Sequence, residues 1–328
     1  MNKGVLFSFA VVLLWALENI TIKGILQFWE IQPAIFVCIN LMMGAMVLLI
    51  ISGPGRLGIE TVSKPQTWIY SFLRVFQEIL FVMALALISA TDAALLKRIE
   101  IIVVLFLAWT SFGRTPRWFD WAGGAFIIGG WLVVAQGIPP EIQAIVIGIA
   151  ILRAVSQALQ AVISEVHPTT NAARTIKEEC RTAGFILMVT SVSLLTFLFG
   201  LSAIVESSTS RNDVYGAVIS FLPHWEDFFH IPTIWSAMAL GVFLTSFYSY
   251  FYFVAIKTAK SEVFMSASAL IPLFVFFFEY LASLFGYGDT SGITWENLLS
   301  AILIGFGALF IIFMRHHRAR RLSSVATT

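Results

Sequence analysis

Three charged residues, Lys97, Arg98 and Glu100, stand inside the otherwise mostly apolar stretch from Thr91 to Arg114. In hydrocarbon each charge costs roughly 2.5 to 3.5 kcal/mol on insertion scales, so each calls for a partner, a water-filled cavity or a ligand. Five more ionisable residues fall within long apolar stretches: Glu18, Arg74, Glu78, Arg153 and Glu279. The set divides into four cations and four anions. Left unpaired they would together cost roughly 20 kcal/mol, more than the ~5 to 15 kcal/mol that holds a typical folded protein.

Spacing sorts these charges. Arg74 and Glu78 are four apart, so one helical face offers an ion pair. Lys97 and Glu100 share a face, while Arg98 is rotated by about 100° and must turn to Glu18, Glu78 or Glu279 on another helix, or to a substrate. Arg153 has Gln157 one turn on and no carboxylate in its own span, which favours a ligand or a cross-helix partner over snorkelling. Lys97, Arg98 and Arg153 are therefore candidates to hold an anionic group. Glu18, Glu78, Glu100 and Glu279 would hold an ammonium group, relay protons or orient the basic residues. Arg74, Trp15, Asn19, Tyr248 and Tyr252 complete the candidate binding set. Deep tryptophans such as Trp15 and Trp131, and the tyrosine run from Ser246 to Phe253, read first as packing, although tyrosines also donate hydrogen bonds. Pro272 has no N–H, so it frees a carbonyl one turn earlier, near Ser268.

Enzyme chemistry finds no support. All five histidines fall in loops or near the C-terminus, and no H-E-x-x-H, G-x-S-x-G or phosphate-cradling glycine loop occurs. Cys38 and Cys180 offer neither a metal spacing nor a disulfide framework. No catalytic residue, metal or cofactor is expected. The net charge of +1 carries no sign of a nucleic-acid partner, because placement rather than total charge is informative here.

The elements that must position these residues are membrane spans. Of 328 residues, 59% are hydrophobic and 12% charged, against about 25% charged in soluble domains. Stretches of about 20 mostly apolar residues occur ten times: Val5 to Ile22, Pro33 to Ile51, Trp68 to Ile88, Ala93 to Phe112, Trp118 to Ala135, Ile142 to Ile163, Gly184 to Val205, Ile234 to Ala255, Val263 to Phe285 and Leu298 to Met314. The first reads as an uncleaved span rather than a signal peptide. Two longer loops are expected, Glu165 to Arg181 and Glu206 to His230, the second with an apolar interfacial patch from Val214 to Leu222. With the N-terminus inside, fourteen basic residues fall in cytoplasmic segments and only Lys23 and Arg211 outside, so both termini are expected in the cytoplasm.

A weak internal match relates Ala86 to Leu96, leading into span 4, to Ala255 to Met265, leading into span 9. The offset is five spans, and an odd repeat inserts its second copy upside down. The expected fold is thus an all-α integral membrane protein of ten transmembrane helices. Residues 1–137 and 138–328 form two inverted five-helix repeats, the second ending in a basic cytoplasmic tail.

Several of these features resemble the drug/metabolite transporter superfamily, in particular its EamA-type ten-span members. They are Trp15, Asn19 and Lys23 in span 1, the Ala86 to Leu96 turn, the glycine-rich Trp121 to Gly130, and Leu270-Ile-Pro-Leu-Phe274 in span 9. Two positions depart from that pattern. Ile101 follows Glu100 where the family commonly has proline, which implies a less kinked span 4, and Phe112-Gly113-Arg114 replaces Leu-Gly-Glu. The Lys97-Arg98 pair is similar to one that plastid sugar-phosphate translocators of this superfamily use on their substrates. Glu18 lies about one turn from where small multidrug-resistance relatives carry their glutamate, and that role is not carried over.

The expectation is a secondary transporter of a small polar metabolite, anionic or zwitterionic, such as an amino acid derivative or an organic phosphate. It would work by alternating access in a bacterial inner (plasma) membrane. Its partners are the substrate, the lipid bilayer and, for uphill transport, a proton, a sodium ion or a counter-substrate; the oligomeric state is left open. An exporter of cationic or lipophilic compounds using Glu18, and a scaffold or receptor without transport, are the alternatives.

Overall fold

The computed structural model describes residues 3–207, 223–286 and 293–325, and all regular structure within them is helical. The patch from Val214 to Leu222 lies outside these residues. The helices are α1 (Lys3–Phe28), α2 (Pro33–Ser52), α3 (Gly58–Val62), α4 (Pro65–Leu87), α5 (Ala90–Leu96), α6 (Glu100–Phe112), α7 (Trp118–Gly137) and α8 (Pro140–Val166). They continue with α9 (Pro168–Ala172), α10 (Ile176–Ser207), α11 (Ile231–Leu240), α12 (Ser246–Ala259), α13 (Ser261–Ser268), α14 (Ile271–Leu284) and α15 (Trp295–Val325). Among the described residues, nine helical stretches are long and apolar enough to cross a membrane, and they coincide with nine of the expected spans. The chain is an all-α integral membrane protein.

The remaining expected span, Ala93 to Phe112, is divided. A 3-10 turn over Lys97–Ile99 separates α5 from α6, so the segment is not one uninterrupted α-helix even without a proline at residue 101. Ser89 starts it by accepting the Asp92 N–H at 3.0 Å, and Gly113, in the left-handed region at φ 64°, stops it. Span 9 is divided too, between α13 and α14, just before Pro272. Span 8 stays continuous but carries a π-helical turn over Gly241–Thr245 between α11 and α12.

The polar segment expected as a loop from Glu165 to Arg181 is largely helical: α8 runs on to Val166, α9 follows, and α10 begins at Ile176. The cause is a capping box. The Glu178 carboxylate accepts the N–H groups of Arg174 and Thr175 at 2.8 and 3.3 Å, and Thr175 Oγ1 accepts the Glu178 N–H at 3.2 Å, so the helix starts two turns before the apolar run.

Two compact units form. The first comprises residues 1–24, 80–166 and 251–328, and the second residues 25–79 and 167–250. Each draws on both sides of residue 137, so compactness follows other lines than the expected repeat. In the first unit α7 lies along α15, where a Cβ on Gly123 would sit 2.6 Å from Gly307 O and only glycine permits the approach. Gly305 faces Leu273, whose Cδ1 would lie 3.1 Å from an added Cβ. In the second unit α10 lies along α2, and Arg181 donates to the carbonyls of Ser52, Gly53, Pro54 and Arg56 at 2.8–3.1 Å.

Candidate functional site

The 3-10 turn arranges the first unit's charges. It directs the Glu100 N–H to Lys97 O, one residue short of the α-helical acceptor Leu96 O. The Trp131 indole N–H on α7 supplies Leu96 O at 2.9 Å. Trp131, expected to pack, therefore also stabilises the break.

Arg98 is fully buried. Its Nε donates to Ala94 O at 3.1 Å, and its Nη1 donates to Ser268 O at 2.5 Å and to Ser268 Oγ at 2.9 Å. Ser268 O is the carbonyl that Pro272, lacking an N–H, leaves without a helical donor. The guanidinium of one divided span thus fills the opening in the other. Nη1 also lies 3.0 Å from Glu100 Oε1, and Glu100 Oε2 lies 3.5 Å from Arg153 Nη1 on α8. The expected cross-helix carboxylate for Arg98, Glu18, Glu78 or Glu279, is replaced by Glu100. A helical wheel locates Cβ atoms, whereas the long arginine stem carries its charge round to a neighbour two residues away. Arg98, Glu100 and Arg153 together bring two guanidiniums and one carboxylate into one buried cluster. Nη2 of Arg98 has no hydrogen-bond partner among the described residues.

Lys97 turns elsewhere. Its Nζ stands over the rings of Trp15 at 4.7 Å and Phe81 at 4.9 Å, and the Arg153 guanidinium stands 4.7 Å from the same Phe81 ring. Trp15 continues into an aromatic group with Tyr252 and Phe264, centroids 5.1 to 5.8 Å apart. Asn19, one turn from Trp15, is buried and its Nδ2 has no partner among the described residues. Glu18 is buried beside it in sequence. Glu279 on α14 accepts a hydrogen bond from Thr91 of α5.

The other candidates lie in the second unit. Arg74 Nη1 and Glu78 Oε1 are 3.0 Å apart, the ion pair their spacing foretold. Arg74 Nη2 donates to the Tyr248 hydroxyl at 2.8 Å, and Gln77 Nε2 donates to Glu78 Oε1 at 3.1 Å. In the same unit the π-helical turn brings Thr245 Oγ1 to Asn40 Oδ1 at 2.6 Å.

Residues 2–136 match the EamA-like transporter family. Over those residues the chain is similar to members of the drug/metabolite transporter superfamily. A solved structure described only as the crystal structure of a protein superimposes on this chain with a TM-score of 0.63, covering 95% of this chain and 98% of that one. At 17% identity, that likeness speaks to the fold alone. No curated protein matches significantly.

The chain also holds functional candidates that sequence reasoning missed. Along α8, Arg153, Gln157, Gln160 and Ser164 follow one another at helical spacing and all are buried. That stripe was legible once Arg153 had been singled out. At the end of α8, Glu165 receives Arg114, with Nη1 at 3.2 Å from Oε2 and a closer contact through Nη2. It also accepts the Ser261 N–H at 3.1 Å and Oγ–H at 2.7 Å, with Lys260 Nζ 3.6 Å away. The ends of α6 and α8 and the start of α13 are thereby tied at one carboxylate. No sequence motif marks it, because its partners are about 50 and 96 residues away.

In the second unit, His167 caps α9 by accepting the Thr170 N–H at Nδ1 (3.4 Å). Its Nε2 lies 3.0 Å from Thr67 Oγ1, whose hydroxyl donates to Thr61 O, so the ring is a neutral Nε2–H tautomer. Burial pushes its pKa down to about 4.

Proposed function

We propose that this membrane transporter is a secondary transporter of a small polar metabolite carrying an anionic group, recognised in the first unit by Arg98 and Arg153 with Glu100 between them. The observation that carries this reading is the buried cluster of Arg98, Glu100 and Arg153 where span 4 meets span 9. Broken helices in transporters commonly border binding sites, because their freed backbone groups need not be satisfied within the helix. Division of both span 4 and span 9 supports the inverted repeats 1–137 and 138–328, for which these are corresponding elements. Alternating access with both termini cytoplasmic, in a bacterial inner membrane and driven by an ion gradient or exchange, completes the proposal. Glu279, buried and hydrogen-bonded to Thr91, is the proposed proton-relay carboxylate. A cationic substrate fits less well, since the Lys97 ammonium already occupies the faces of Trp15 and Phe81.

A thermal-unfolding screen on purified protein tests the reading. A ligand at 100 times its Kd stabilises by about 2.7 kcal/mol, enough to raise the midpoint measurably. Organic anions should raise it and organic cations should not. Stabilisation by cations alone contradicts the proposal.

A further inference from the structure

We infer that the α8 stripe Gln157, Gln160 and Ser164 reads uncharged hydroxyl groups on the transported anion, so that the substrate is a hydroxylated organic acid rather than a plain carboxylate or an inorganic anion. This inference rests on the proposed anion site and goes beyond it to substrate class.

The stripe begins at Arg153 and continues at i+4, i+7 and i+11, which places all four side chains on one face. Gln157 and Gln160 are 1% and 0% exposed. Neither Nε2 nor Oε1 of either glutamine has a hydrogen-bond partner among the described residues, and the same holds for Ser164 Oγ. Helical serines ordinarily return their proton to the carbonyl four residues back, as Ser156 does to Leu152 O at 2.9 Å, and Ser164 does not. Buried polar side chains are nearly always hydrogen-bonded, because one left unpaired costs more than an apolar residue of the same shape. Three consecutive exceptions on one face, continuous with a guanidinium of the acid site, mark groups held for a ligand. The chemistry of that ligand follows from the inventory. A primary amide offers two N–H donors and a carbonyl acceptor, and a hydroxyl donates and accepts, so the stripe complements alcohol groups that do both. Arg153 takes the acid end, and the glutamines and Ser164 take the hydroxylated remainder.

The test uses purified full-length protein and two near-isosteric variants, Gln157→Leu and Gln160→Met. The probes are gluconate and glycerate against hexanoate, propanoate and inorganic phosphate. Wild type should be stabilised more by gluconate or glycerate than by the unhydroxylated anions. Without ligand, each variant should melt at or above wild type, since an unpaired buried amide has been removed. Half-saturation by the hydroxylated acid should then need at least tenfold more ligand, with the hexanoate response unchanged. Variants that melt below wild type without ligand would show the glutamines to be structural and overturn the inference. So would hydroxylated acids that perform no better than hexanoate, propanoate or phosphate on wild type. An Arg153→Gln control separates the two levels. If it abolishes every anion's effect while the glutamine variants keep the wild-type ranking, the stripe assignment fails and the anion site stands. If no anion stabilises wild type, both fail.

Discussion

Replacing Glu100 by glutamine isolates the electrostatics of the triad. In the wild type the two carboxylate oxygens lie 3.0 Å from Arg98 Nη1 and 3.5 Å from Arg153 Nη1. Glu100→Gln keeps the shape and removes the negative charge, leaving two buried guanidiniums facing a neutral amide. Removing one member of a buried pair typically costs about 3 to 5 kcal/mol. Part of that cost is mutual repulsion: with the guanidiniums roughly 6 to 8 Å apart and an effective dielectric of about 20, it amounts to about 2 to 3 kcal/mol. Adding Arg153→Gln to the same chain deletes the repulsion. The double variant should therefore be more stable than Glu100→Gln alone, a sign reversal that independent sites cannot produce. Thermal unfolding in one detergent, followed by tryptophan fluorescence, should rank wild type highest, the double variant next and Glu100→Gln lowest. A double variant that melts below the single one would refute the triad as an electrostatic unit.

Three further outcomes follow from other parts of the fold. Pro272→Ala returns an N–H to the helix opposite Ser268 O, so Arg98→Met should cost about 1 kcal/mol less in that background than in the wild type, read from the same melting curves. His167 is neutral when folded, with its pKa pushed down to about 4, whereas the unfolded chain takes up a proton near 6.5. Stability should thus be unaffected by this residue above pH 6.5, fall as pH drops from 6.5 to 4 and level off below, and His167→Gln should remove that part of the decline, seen as a difference between two pH–melting profiles. Glu165→Gln weakens contacts to Arg114 and Lys260, both of them partly solvated and Lys260 the more so, so a loss of about 1 kcal/mol is expected in unfolding measurements and should shrink at high salt.

Span positions and the membrane class were legible because a run of about 20 apolar residues is a local property of the chain. The Arg74–Glu78 pair and the freed carbonyl at Ser268 were equally local: one needs only a spacing of four, the other only a proline. The division of span 4 was not legible. Ile101 argued for a less kinked helix, and the turn over Lys97–Ile99 is stabilised from outside by Trp131 and by contacts of Arg98 with Ser268, 170 residues away. The same distance hid the partner of Arg98. The early start of α10 was available in Thr175 and Glu178, whose spacing is a capping signature, but the polar composition of that segment outweighed it. The glutamine stripe on α8 falls between these cases. Its period is local, yet the lack of partners that gives it meaning exists only in the folded chain.

The central claim is that Arg153 and Arg98 hold the anionic group of a transported metabolite, and reconstituted transport tests it most directly. Uptake of radiolabelled organic anions into proteoliposomes should be carried by wild type and fall at least tenfold in Arg153→Gln, with the variant inserted and folded to the same extent. Undiminished anion uptake by Arg153→Gln, or uptake confined to cations, would contradict the account.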